Sequence, residues 1–376
     1  MVKLFVEELA VRRILIPVIL MTLTGMTPLF AIDVTFTPPK FGGSSPIVDE
    51  INRQLENFFA QYENEIGNDL RDIDINPTEL VGAFATSSIL SSTGATQRGY
   101  GGYGKFAVTL GAMGGLLPNG SLFSFVKKTR RMLDDVENLD DIKMGFNPQV
   151  LNAQIGFNTS GFLLNKLYLG LKLGYFKFSG DPIAFSTPSI GLAVNYQLIP
   201  QIKIPLGILA WRGINLGAGI IYQHTDMEIS VPLPSKREQI SILNIITTTM
   251  TIDSELTLDF VKNTITIPLE AMTSLRLLSF LNLSLGVGAD IGFGITDFKL
   301  TGDASANFYD LPEYLTPIQN AGLSASTRGT DSPDLFNPKL MAGLGFSIGP
   351  VILDIPVTYY FLNSGYNFGI TLGFIL

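Results

Sequence analysis

An all-β fold is predicted for this chain: an antiparallel transmembrane β-barrel of 10–14 strands with an N-terminal helical plug or periplasmic segment. Three observations predict it. The first is alternation. Between residues 282 and 296, Leu283, Leu285, Val287, Ala289, Ile291, Phe293 and Ile295 fall on one face of an extended strand. Ser284, Gly286, Gly288, Asp290, Gly292, Gly294 and Thr296 fall on the other. Such a run reaches roughly 45 Å, whereas a tilted strand crosses a bilayer in about 9–11 residues. The second is composition. Mean hydropathy is +0.32, only 15% of residues are charged, and there are 38 glycines. A soluble domain carries about 25% charge. The apolar residues are spread as alternation and never form the run of about 18 that a spanning helix needs. The third is the spacing of the connections, which alternate short and long as they do in outer-membrane barrels.

The first 31 residues predict a secretory signal peptide. Lys3, Arg12 and Arg13 precede an apolar run over 14–23, and Leu29, Phe30 and Ala31 end it, placing cleavage after Ala31. Pro17 and Pro28 argue against a stable spanning helix in the same stretch. With no Cys in the chain, a lipid-modified cysteine, disulfides and thiolate metal sites are all excluded.

Residues 32–100 form a separate N-terminal segment. Residues 32–46 are rich in Pro, Gly and Ser and read as irregular. Ile47, Ile51, Leu55, Phe58, Phe59, Tyr62, Ile66, Leu70 and Ile73 then recur at helical spacing, as one apolar stripe. A second, shorter helix is expected from Asn76-Pro77-Thr78-Glu79, with Pro in its first turn and Leu80, Val81, Phe84 and Ile89 along it. Residues 93–103 are a Gly-rich connector. This segment would sit inside the barrel as a plug or dock beneath it in the periplasm.

Residues 101–376 form the barrel. Ten stretches carry the alternation: 105–113, 149–158, 166–177, 188–198, 214–223, 264–277, 282–296, 339–348, 350–361 and 366–376. The long connections 114–147, 231–263 and 302–338 are expected to face outward, and short ones such as 159–165, 278–281 and the Gly349-Pro350 turn to face the periplasm. Stretches 241–260 and 121–127 would add strands in pairs, giving 12 or 14. Tyr175, Tyr196, Tyr222, Tyr359 and Phe361 fall near strand ends, where an aromatic girdle sits.

Candidate chemistry is sparse. The single His, His224, has Asp226 and Glu228 nearby, but no nucleophile or metal-ligand cluster accompanies it, and no phosphate-cradling glycine loop is present. The reading is therefore non-enzymatic, with no cofactor and no metal. A net charge of −8 without a basic stripe excludes nucleic acid as a partner. Lys172, Glu270, Arg276, Asp290 and Asp354 lie on the small or polar strand faces, which turn inward in a barrel. They would pair with the plug, through Arg98, or line a solute path. Inward glycines (Gly170, Gly174, Gly217, Gly219, Gly286, Gly288, Gly343, Gly345) leave room for helices or for a narrow channel.

Two resemblances bear on function. Tyr366, Phe368 and Phe374 in the closing strand resemble the C-terminal signal read by the barrel-assembly machinery, although the chain ends in Leu376 rather than Phe. Asn76-Pro77 before a small-residue helix, and the Gly-rich entry to the first strand, loosely resemble the long-chain fatty acid transporter (FadL-like) family of outer-membrane proteins. That resemblance implies an N-terminal hatch in a barrel and passive, porin-like passage of small hydrophobic ligands such as fatty acids. This chain differs in placing the 47–73 helix before the hatch. The loop 302–338, with Tyr309, Pro312, Tyr314, Pro317, Asp331 and Pro333, has the general look of surface-exposed adhesin barrels of spirochaete-like bacteria. Solute uptake and partner binding by the loops are both expected readings, and outer-membrane lipid is the surrounding phase in either.

Overall fold

The computed structural model describes residues 32–376 apart from 43–44, 47, 54–55, 58–76, 93, 95–105, 118–144, 161–165, 181–182, 204–208, 243–245, 310–315 and 320. Its strands are β1 (Ile32–Thr37), β2 (Lys40–Gly42), β3 (Phe106–Leu117), β4 (Gly145–Asn158), β5 (Leu167–Gly180), β6 (Ile183–Ile199), β7 (Ile202–Lys203), β8 (Leu209–Ile242), β9 (Ile246–Leu277), β10 (Leu281–Tyr309), β11 (Thr316–Gln319), β12 (Ala321–Asp331), β13 (Phe336–Ile348), β14 (Val351–Tyr360) and β15 (Gly365–Ile375). One long helix, α1, spans Pro77–Leu90.

Following the pairings from strand to strand closes a ring: β3, β4, β5, β6, β8, β9, β10, β13, β14, β15 and back to β3, all antiparallel. These ten strands are the ten alternating stretches read from the sequence. Closure leaves no open edge inside the ring, which is what a bilayer core demands of a sheet. The last seam is sealed at the chain end, where Phe106 and Leu376 exchange backbone hydrogen bonds of 3.2 and 2.9 Å.

Alternation sorts the two faces. On β10, Leu283, Leu285 and Val287 are exposed, at 42%, 60% and 57%, while Ser284 between them is buried. The same pattern runs through every ring strand, giving a continuous outward belt of Leu, Ile, Val and Phe. No soluble monomer exposes so large an apolar surface, and lipid is the phase that removes its cost. Tyr175, Tyr196 and Tyr222 stand outward beside this belt, and Tyr359 packs against Phe361 and Tyr366 at 5.5 and 5.2 Å between ring centroids.

Three sequence expectations are corrected. Among the described residues, 231–263 and 302–338 are largely strand rather than loop. β8, β9 and β10 run on for 34, 32 and 29 residues and stand far beyond the girdle. β8 continues for 19 residues past Gln223, about 60 Å along the strand. The described residues of stretch 241–260 are therefore the end of β8 and the upper part of β9, and add no strand to the ring. Residues 32–42 are not irregular either. β1 pairs with β12 (Ile32↔Thr327 to Thr37↔Gly322) and β2 with β11, both at the tall end. The physical reason is that outer strands satisfy this segment's backbone hydrogen bonds despite its prolines. The expected 47–73 helix is seen over 48–53 and 56–57, and the rest falls outside the described residues.

β12 and β13 face β10 in one continuous register, with Thr296↔Asp331 above and Ile291↔Phe336 below. Between them, residues 332–335 leave the ladder opposite residues 292–295. One backbone bond, Gly292 N–H to the Leu335 carbonyl at 2.9 Å, spans the gap.

Candidate functional site

Helix α1 stands in the lumen. Pro77 opens it, suiting a position whose N–H has no helical partner. From Val81 onward nearly every residue is buried, with Val81, Ala85, Ser87, Ile89 and Leu90 at 0%. A helix buried on all sides is enclosed rather than laid on a surface. It touches β3, β4, β9, β10, β12 and β15. The enclosing wall comes close where it has no side chain: a Cβ on Gly145 would lie 2.1 Å from the Ala83 carbonyl oxygen, and one on Gly115 2.5 Å from the Ser91 nitrogen. The glycines that admit the helix are thus not the eight singled out in the sequence, which mostly face wall side chains or the strand beside them.

Contacts change character along α1. At its upper part, Val81 packs with Phe185, Met227, Phe260 and Phe298. Phe84 stacks on Phe260 at 4.4 Å between centroids, and Phe260 on Phe298 at 5.0 Å. A cavity of about 660 Å³ lies at this level, lined by Phe178, Phe185, Met227, Phe260 and Phe298 with Lys299 and other charged neighbours. Lower down the contacts are polar. Thr86 Oγ1 accepts from the Asp334 N–H at 3.1 Å, in the break between β12 and β13. Asn147 donates to Ser91 Oγ at 2.7 Å, and Ser91 donates to Gln223 at 3.3 Å. At the C-terminal end the exposed carbonyls are taken up by the wall. Asn367 donates to Leu90 and Ser92 at 2.5 and 2.9 Å, the Tyr360 hydroxyl lies 3.5 Å from the Leu90 carbonyl, and Lys172 donates to Gly94. Cationic and amide donors at a helix C-terminus satisfy its orphan carbonyls and oppose its dipole.

Beneath the helix end lies a buried charge cluster. Lys339 Nζ is 2.6 Å from Glu270 Oε1 and 2.6 Å from Asp290 Oδ1, with all three side chains fully buried. Tyr360 donates to the other Asp290 oxygen at 2.7 Å. Gly94, at φ +71°, backs directly onto the Glu270 carboxylate, so the chain leaving the helix fits there only without a Cβ. Of the residues read from the sequence, Lys172, Glu270 and Asp290 meet at this level, and Asp354 is buried on the same inward face. Arg276 does not join them. It sits beside the short turn and donates to the Ser279 carbonyl at 2.5 Å. Arg98 lies outside the described residues. Lys339, Lys262 and Tyr360 were missed, although alternation puts Lys339 in line with inward Met341 and Gly343.

Lys262 pairs across from Thr225, beyond Tyr222 and level with the exposed polar groups of His224 and Asn263. It is therefore above the membrane-spanning part of β9. It donates to the Phe84 carbonyl at 3.0 Å and lies 5.6 Å from the Phe84 ring centre. Burial pushes its pKa down to about 7. The unfolded chain holds that proton up to about pH 10.4, so between pH 7 and 10 it binds more protons than the folded one. Stability should rise across that interval and be flat below it. Lys262→Met should remove the rise and stabilise the fold most at pH 7 and below, as read from the temperature at which the compact barrel band is lost on gels.

His224 bonds Asn263 and Asp226, both at 2.9 Å, on the outer surface. Among the described residues, no group of three or more His, Asp or Glu is placed to hold a metal ion.

A closed ring of lipid-facing strands around a bonded internal helix is the architecture of an outer-membrane-type β-barrel with an occluded lumen. The chain belongs to the Lsa36-like family, whose model matches residues 33–376. No curated protein matches it. Among solved structures it is similar to the translocator domain of the autotransporter NalP from Neisseria meningitidis, at 12% identity over 73% of this chain and 89% of that one, TM-score 0.27. It is also similar to the CymD monoaromatic hydrocarbon channel (9%, 80% and 97%, TM-score 0.24) and to a FadL homologue of Pseudomonas aeruginosa (8%, 80% and 98%, TM-score 0.25).

Proposed function

We propose that this protein is a non-enzymatic channel barrel of the outer membrane, closed at rest by α1, that takes up small apolar solutes from the outer side. One observation carries the reading: an aromatic-lined cavity of about 660 Å³ lies level with the apolar upper part of a stopper whose lower part is polar. That volume is within the range of small-ligand sites, and the phenylalanines of the wall are rimmed by charged groups, among them Asp226, Glu228, Asp259, Asp297 and Arg328. A solute partitioning there would compete with Val81 and Phe84 for Phe260 and Phe298, loosening the helix from the top. Binding of a fluorescent long-chain fatty acid to the detergent-solubilised barrel tests this. Micromolar binding that weakens about tenfold in Phe260→Ala supports uptake. No saturable binding of the fatty acid or of a monoaromatic hydrocarbon refutes it.

A second reading is favoured by the 19-residue rise of β8 above Gln223. So tall a wall suits a surface protein that binds a partner with its tip. Deleting residues 236–250, across the β8–β9 hairpin, should then abolish cell attachment while solute binding persists.

A further inference from the structure

We infer that the barrel displays its own N-terminal segment, residues 32–53, on the outer face of the membrane, and that the chain reaches that face through the lumen. Three placements carry this. β1 is hydrogen-bonded along β12, from Ile32↔Thr327 to Thr37↔Gly322, and β12 lines the upper part of β10. β2 pairs with β11, which follows β10 at the same tall end. The first ring strand, β3, starts at the opposite end, where Phe106 is bonded to the chain end at Leu376 and paired with Phe157 beside the short β4–β5 turn.

A chain that runs from Ile32 in the tall wall to Phe106 at the short-turn end has to cross the barrel in between. Helix α1 is that crossing. Its upper residues meet Phe185 and Phe298, while the Gly94 carbonyl beyond its end meets Lys172. Short turns face the periplasm and tall connections the outside in this class of barrel. Residues 32–53 therefore lie outside, and α1 is the trailing part of an exported segment, held by wall donors to Phe84, Leu90, Ser92 and Gly94. The barrel's cargo is a piece of itself. The Asn52 side chain, which exchanges hydrogen bonds with the Phe41 backbone at 2.9 and 3.1 Å, folds the displayed segment back on β2.

The absence of cysteine makes the test clean. Single substitutions Asp49→Cys, Ser235→Cys and Ser160→Cys, all at exposed positions, place one thiol each on the N-terminal segment, the tall wall and a short turn. Intact cells are treated with a membrane-impermeant maleimide, and folding is checked by the heat-shifted gel band. The expected result is labelling of Asp49→Cys and Ser235→Cys on intact cells, and of Ser160→Cys only after the outer membrane is opened. Labelling of Asp49→Cys together with Ser160→Cys, on either side, overturns the inference. So does protection of Asp49→Cys while Ser235→Cys reacts.

Discussion

Replacing Lys339 with Met is expected to destabilise the plugged barrel by about 3–5 kcal/mol, because it leaves Glu270 and Asp290 facing each other without their shared cation. The loss should appear as a lower temperature for disappearance of the compact gel band, and as channel openings in planar bilayers when the helix end is no longer held. The triple variant Lys339→Met, Glu270→Gln, Asp290→Asn provides the control. It removes both charges with the cation and should recover most of the stability. If Lys339→Met is as stable as the wild type, the cluster does not hold the lumen closed.

Gly145→Val should open the barrel without unfolding it. Its Cβ would meet the Ala83 carbonyl at 2.1 Å and the Ser87 side chain at 2.8 Å, and it faces helix backbone, which cannot rotate away. The strand itself tolerates a β-branched residue, so the helix is the part that yields. Steady ion conductance should therefore rise at least tenfold over the wild type, with unchanged β-sheet circular dichroism. Conductance equal to the wild type would mean that α1 is not the barrier.

The barrel ring was legible in the sequence because lipid on one side and a crowded lumen on the other force a strict contrast between neighbours. Leu283 against Ser284 is that contrast in two residues. Once β8, β9 and β10 leave the bilayer, their outward faces meet water instead of lipid, while their inner faces still carry apolar residues such as Met227, Phe260 and Phe298, so the strict contrast between neighbours lapses. Runs such as Thr247-Thr248-Thr249 then alternate nothing, and 231–263 reads as a loop. The strand at 32–37 was hidden differently: Ile32, Val34 and Phe36 do alternate, but Pro38-Pro39 directly after them reads as irregular. For the lumen, parity alone placed Lys172, Glu270, Asp290 and Asp354 inward. It could not pair them, since Lys339 and Glu270 are 69 residues apart and meet only through ring closure. Arg276 had the right parity and the wrong height, at a strand end that runs into a turn where Leu278 and Ser279 take positive φ.

The continuous ladder of β10 has a mechanical consequence. Its residues pair with β9 without a break from Leu281 to Tyr309, from the short-turn end to the outer tip. Those hydrogen bonds lie perpendicular to the strands. Traction on the outer wall, as from a tethered surface, would load them side by side in shear, so that many must fail together. The internal helix is fastened by separate side-chain bonds, which a pull along its axis would break one after another. Force applied outside therefore reaches the stopper long before it threatens the wall, and a barrel of this build yields by unplugging.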